Sequence, residues 1–258
     1  FIDFANSTPF YGKVAINIDS LNVNKISSKI KKSKITFGLK ENADVKAEKI
    51  SYNNNCSKFS VTFKNQNEKY HINLSCPGEH NIYNALAAIS IAKELKISKK
   101  SIVDGLNHYT GVKRRFEIKH NNEIMIIDDY AHHPIEVKET IKAARNGWNK
   151  RIISIFQPHL FTRTKNFYKE FANALSKSDV IIITDIYPAR EEPIKGVTSK
   201  LIIDEIVGNN NVFYIPNKDK VPEKIFNIIK KDDIVIVMGA GNINSIIDSI
   251  SDGYSYGN

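Results

Sequence analysis

Ile126-Ile127-Asp128-Asp129-Tyr130-Ala131-His132-His133-Pro134 reads as a buried strand that runs into two carboxylates, a phenol and two imidazoles before a helix-starting proline. Desolvated charge and imidazole both need partners, so titratable groups packed this tightly are costly to hold for packing alone. Downstream, strands and helices alternate: helix 135–146, strand 151–156, helix 164–176, strand 179–185, helix 199–207, strand 212–215, helix 222–230, strand 233–238 and helix 243–250. Such alternation implies right-handed crossovers and a mainly parallel, doubly wound α/β sheet. Ligands of such sheets bind outside the carboxyl ends of the strands. Three chemically loaded segments fall at those ends: 128–134, 157–163 and 239–242.

Immediately upstream, 117–120 and 123–127 form a hairpin around Asn121-Asn122. Residues 1–76 read as a mostly β layer, with strands at 13–18, 34–38, 59–63 and 70–74. Asn53-Asn54-Asn55 and Lys64-Asn65-Gln66-Asn67 are hairpin turns between them. After Pro77-Gly78 a helix runs from 81 to 95, and Ser98 caps a second through Asn107. The expected domain boundary lies near Gly111, giving domains 1–111 and 112–258 with Val112 to Arg115 as the hinge.

A chain of 258 residues accommodates two such domains, and its 41% hydrophobic and 25% charged content is ordinary for a globular protein. No apolar run approaches the roughly 18 residues of a membrane span, and the first residues do not form a signal peptide. Cys56 and Cys76 are too few for a disulfide framework and suit a reduced, cytoplasmic setting. The net charge of +9 comes from 31 lysines and only six arginines. Groove readers and phosphate clamps lean on arginine forks, and the run from Lys25 to Lys34 has no aromatic residue for base stacking. It reads as a solvated surface, with no nucleic acid as partner and no membrane.

Five constellations can carry chemistry. In Gly78-Glu79-His80-Asn81-Ile82-Tyr83-Asn84, Asn81 and Asn84 share a helix face and either present an amide pair to a base edge or cap the helix. In Lys113-Arg114-Arg115-Phe116-Glu117, adjacent arginines at the hinge suit a phosphate or ribose, or a surface ion-pair cluster with Glu117. Asp128 and Asp129 point to opposite faces of a strand, so only one can serve a given ligand while the other binds backbone or a helix end. Neighbouring His132 and His133 rarely reach one metal ion, and no metal site is assigned. In Gln157-Pro158-His159-Leu160-Phe161-Thr162-Arg163, His159 and Arg163 suit an anionic substrate or a carboxylate, or else are a core histidine with a surface arginine. Met238-Gly239-Ala240-Gly241-Asn242 lacks the third glycine of a dinucleotide fingerprint and reads as tight packing between strand and helix. The missing fingerprint argues against a nucleotide-dependent oxidoreductase.

In this order the segments resemble the Mur ligase family. The resemblance runs through Phe10-Tyr11-Gly12, Gly-Glu-His-Asn at 78–81, Arg-Arg-Phe-Glu at 114–117, Asp-Asp-Tyr-Ala-His-His-Pro at 128–134, Phe-Gln-Pro-His at 156–159, Tyr187-Pro188-Ala189-Arg190-Glu191 and Met-Gly-Ala-Gly at 238–241. It implies a partial mixed β/α central ATPase domain followed by a Rossmann-like C-terminal domain. The implied activity is an ATP-dependent amide ligation of peptidoglycan synthesis, with UDP-N-acetylmuramate and L-alanine as partners and ATP with Mg²⁺ as cofactors. Carried over by motif position, His80, Asn81, Asn84, Arg115 and Asp129 are cofactor-binding. Tyr130, His132, His159 and Arg163 are substrate-binding, the last three also the candidate catalytic residues.

Two departures qualify the resemblance. The family's P-loop and Mg²⁺ ligands lie upstream of the Phe-Tyr-Gly segment, and no G-x-x-x-x-G-K-[ST] occurs in this sequence. The expectation is a fragment that does not turn over ATP alone, or else a non-catalytic nucleotide-binding remnant of the same fold. Leu160 stands where the family usually has an arginine, which removes a charge-assisted contact worth about 1.5–3 kcal/mol if that arginine binds substrate.

Overall fold

The computed structural model describes residues 1–40, 42–208 and 211–256, with 255 and 256 described by backbone alone. The chain divides into two compact units, Phe1–Thr110 and Gly111–Asn258. The first contains α1 (Ile2–Asn6), β1 (Val14–Asn17), α2 (Leu21–Ser27), β2 (Lys34–Gly38), β3 (Val45–Asn53), β4 (Cys56–Phe63), β5 (Gln66–Leu74), α3 (Glu79–Glu94) and α4 (Lys99–Asn107). Its sheet is ordered β1-β2-β3-β4-β5, parallel as far as β3 and antiparallel from there. Ile82, Leu86 and Ile89 of α3 are buried with Phe59, Val61 and Leu74 of the sheet in one apolar core.

This unit is more helical and has one more strand than the mostly β reading of 1–76. Helix α2 has two asparagines and two β-branched residues in seven, a poor helical composition, and buries none of its residues. Its one local signal is Ser20, whose hydroxyl accepts the Val23 amide. Strand β3 carries Lys, Ala and Glu, and a bulge between Glu48 and Ser51 places Lys49 at φ 53°, which breaks the period-two alternation.

The second unit contains β6 (Glu117–Asn121), β7 (Met125–Asp129), α5 (Pro134–Gly147), β8 (Ile152–Phe156), α6 (Phe161–Leu175), β9 (Val180–Ile183), α7 (Lys200–Asp204), β10 (Val212–Tyr214), α8 (Val221–Phe226), β11 (Ile234–Met238) and α9 (Ile247–Tyr256). The strand order is β10-β9-β8-β11-β7-β6, all parallel except the β6–β7 hairpin. The expected α/β class with a doubly wound, mainly parallel sheet holds. Every residue of β7, β8 and β11 is buried, because helices α5, α6 and α7 contribute to one apolar layer and α8 and α9 to the other. Three expected helices are shorter or start later: 199–207 forms only α7, 222–230 only α8, and 243–250 begins as a 3-10 turn before α9.

Strand β11 inserts between β8 and β7, although the chain reaches it last. The connections after β7 and β8 lead to the helices of one layer, and that after β11 leads to the other. The crevice at the carboxyl ends therefore opens around the end of β11.

Candidate functional site

At the end of β7 the two aspartates take different roles. Asp129 is 5% exposed. Its Oδ1 accepts the Ala131 amide at 2.8 Å, and its Oδ2 accepts the Phe116 amide at 2.9 Å and the Thr140 hydroxyl at 3.1 Å. Burial still prevails over these donors and pushes its pKa up to about 6. Asp128 faces Arg114, whose Nε lies 3.4 Å from its carboxylate. Burial raises the Asp128 pKa, and the Arg114 charge only partly offsets it.

The adjacent arginines also separate. Arg114 adopts φ 58°. Its amide donates to Glu117 Oε2 at 2.8 Å, and its carbonyl accepts the Tyr130 amide at 2.7 Å. Its Nη2 donates to the Gly239 carbonyl at 2.6 Å, and its guanidinium carbon lies 4.9 Å from the Tyr130 ring centroid. Arg114 is thus committed to its own chain. Arg115 keeps a side chain 53% exposed, 3.6 Å from Glu136 and 5.7 Å from the Tyr130 ring. It presents an exposed guanidinium, paired with Glu136, beside an exposed phenol.

Pro134 at the first turn and His133 as N-cap start α5 with a capping box. Glu136 Oε2 accepts the amides of His132 at 3.0 Å and His133 at 3.2 Å. Burial alone raises the Glu136 carboxyl, but those amides with the His132 and Arg115 charges hold it below its ordinary value. The cap orients His132, whose Nδ1 lies 2.9 Å from the Tyr130 carbonyl, so this nitrogen carries the proton.

Four rings then form a row. Tyr130 meets His132 edge-on at 5.2 Å, His132 meets His159 at 5.9 Å, and His159 stacks on Tyr187 at 5.7 Å with 14° between planes. Arg163 Nη1 lies 3.3 Å from His159 Nδ1. A guanidinium only donates, so this nitrogen is the acceptor and the imidazole is neutral. Burial, then the Arg163 and His132 charges, hold the His159 pKa below its usual value, in agreement. Leu160, between the two, sits at φ 74°, a conformation costly for a branched side chain. It is held there by the hydrogen bond that its amide donates to the Tyr187 carbonyl and by its own carbonyl, which accepts the Thr164 amide and hydroxyl.

In the first unit, Asn81 and Asn84 come together on the first turns of α3. Asn81 Nδ2 donates to the Pro77 carbonyl at 2.8 Å, and Asn84 Nδ2 to Asn81 Oδ1 at 3.3 Å. Both line a cavity of about 270 Å³ with Leu74, Ala88, Gly105 and Tyr109. His80, half-buried on the same turn, is not in that lining. Tyr109 and Gly105 escaped the sequence reading. Their only local signal is a glycine inside a helix, where it costs about 1 kcal/mol against alanine, and a Cβ there would meet nothing within 4 Å. Among the described residues, no group of three or more His, Cys, Asp or Glu side chains comes together to hold a metal ion.

The Mur ligase middle domain model matches residues 2–92, and the Mur ligase glutamate ligase domain model matches 114–241. The chain is 42% identical over 253 residues to a UDP-N-acetylmuramate–L-alanine ligase of Sulfurihydrogenibium sp. (strain YO3AOP1), covering 97% of this chain and 55% of the relative. It spans about half the length of the curated relatives it matches. Among solved structures, the UDP-N-acetylmuramate-alanine ligase MurC of Thermotoga maritima superposes with a TM-score of 0.73 at 26% identity, over 87% of this chain and 48% of that one. The MurF ligase of Thermotoga maritima in complex with ADP shares the fold, with a TM-score of 0.77 at 15% identity over all of this chain and 57% of that one.

Proposed function

This chain belongs to the Mur ligase family, and on that premise we propose that it supplies adenine-binding and amino-acid-binding surfaces to a UDP-N-acetylmuramate–L-alanine ligase, an ATP-dependent enzyme of peptidoglycan precursor synthesis in the cytoplasm. The observation that carries this reading is the row Tyr130–His132–His159–Tyr187 at the strand ends, with the exposed guanidinium of Arg115 near Tyr130 and Arg163 against His159. A guanidinium beside a neutral imidazole favours carboxylate and phosphate oxygens.

In the reaction proposed, a muramyl carboxylate oxygen attacks the γ-phosphorus of ATP and ADP departs. The L-alanine nitrogen then attacks the resulting acyl phosphate, phosphate leaves, and the ammonium proton passes to solvent or a base. Arg115 would bind phosphate oxygens, Arg163 a carboxylate, and neutral His159 together with His132 would orient the amine and its acceptor. Asp129 acts through Phe116, Ala131 and Thr140, holding the loop that carries Tyr130. The cavity beside Asn81 and Asn84 suits an adenine ring, since it is apolar, has room for one base, and offers amides to read a base edge. Among the described residues no three His, Cys, Asp or Glu side chains gather that could hold Mg²⁺.

The test is a ligand titration of the ¹⁵N-labelled chain. ADP is expected to shift the Asn81, Asn84 and Tyr109 resonances, and L-alanine with UDP-N-acetylmuramate to shift His132, His159 and Arg163. D-glutamate is the control and should leave them in place. Equal responses to both amino acids, or none to either, overturn the reading.

A further inference from the structure

Tyr187 and Gly241 have no role in the ligand contacts above, yet the row of rings depends on both. Tyr187 is drawn beside the extension of β8: its amide donates to the Pro158 carbonyl at 2.8 Å and its carbonyl accepts the Leu160 amide at 3.0 Å, a parallel bridge opposite His159. Its ring lies against the Cα of Gly241. A Cβ at 241 would sit 2.6 Å from Tyr187 Cγ and 2.4 Å from Gln157 Oε1, closer than real carbon contacts allow. The amide of Gln157 cannot give way easily. It is 6% exposed, Nε2 donates to Asn242 Oδ1 at 3.2 Å, and Oε1 has no partner. Nor is glycine required at 241 by the backbone, whose φ lies outside the left-handed region, in contrast to Gly239 at 153°. What residue 241 must lack is volume.

We infer that Gly241 is side-chain-free in order to seat the Tyr187 ring, and that Tyr187 is a positioning residue for His159, so the glycine turn serves the row of rings and does not cradle phosphate. The stacked phenol covers one face of the imidazole and keeps it desolvated while Nδ1 is turned to Arg163. The inference rests on the reading of His159 as a substrate-side group. The charged groups that face His159 are Arg163 on α6, His132 from the loop after β7, and Arg190 and Glu191 from the segment after Tyr187. None is altered by the substitutions used below.

The experiment follows the His159 imidazole by NMR against pH in the ligand-free chain, with circular dichroism as a check on folding. His159 is expected to titrate below an ordinary histidine and to carry an upfield ring-current shift from Tyr187. Gly241→Ala and Tyr187→Leu should both raise its titration point toward the ordinary value and remove that shift, whereas Tyr187→Phe should preserve both. An unchanged His159 in a folded Gly241→Ala or Tyr187→Leu protein overturns the inference, as does a Tyr187→Phe protein that behaves like Tyr187→Leu. If Gly241→Ala does not fold, the two Tyr187 variants decide. No ligand enters the measurement, so its outcome is separate from that of the titration with L-alanine.

Discussion

Asp129 is a carboxylate enclosed by its own chain, and its chemistry follows from that enclosure. A carboxyl with a pKa of about 6 in the fold and about 3.9 unfolded binds more protons when folded, so its contribution to stability falls as pH rises from about 4 to 6. The loss amounts to about 3 kcal/mol. Asp129→Asn should remove this slope and also cost about 1–3 kcal/mol, since an amide cannot accept from both the Ala131 and Phe116 sides. The deficit, measured by urea melts, should be wider at pH 4 than at pH 7, opposite to the loss of an ordinary ion-paired carboxylate. The arginines divide in the same way. Arg115→Ala should change stability by less than about 0.5 kcal/mol and weaken ADP or UDP-N-acetylmuramate binding. Arg114→Ala should cost about 2 kcal/mol or more, because it leaves Asp128 buried without its counter-charge. In the sequence the two arginines look equivalent. The turn at φ 58° sends one inward and leaves the other outside.

At the scale of elements, the start of α5 shows what local chemistry can announce. Pro134 marks a helix start on its own, and the structure adds a capping box between His133 and Glu136. Glu136→Ala should lower stability by about 0.5–2 kcal/mol in thermal melts. The same variant should broaden the His132 resonances, because the carboxylate that receives its amide is gone. An unchanged His132 spectrum would count against this orienting role. Strand β3 and helix α2 were not legible for the converse reason. Their residues have weak propensities, and the neighbouring strands β2 and β4 hold β3 in the sheet through pairings that no short window contains.

At the scale of the molecule, each unit closes its own core: Val61, Leu86 and Ile89 centre the first, while Ile127, Phe156 and Met238 centre one layer of the second. Residues 111–258 expressed alone should therefore melt in one cooperative step and keep the His132 and His159 shifts; a broad, non-cooperative melt would contradict this. The sequence by itself determined the α/β class, the parallel sheet, the strand ends that carry the chemistry, and the family through the order of its motifs. These are encoded in apolar periods and residue types within windows of a few to a dozen positions. Only the tertiary structure decided how the two aspartates and the two arginines divide their partners, that Asn81 and Asn84 share a cavity with Tyr109, and that Gly241 seats Tyr187. In the second unit these outcomes depend on β11 entering between β7 and β8, which brings Gly239 onto Arg114 from 125 positions away. No local period records a contact of that range. The segment from Asp128 to Pro134 announces chemistry in the sequence, and packing around β11 assigns each of its side chains a partner.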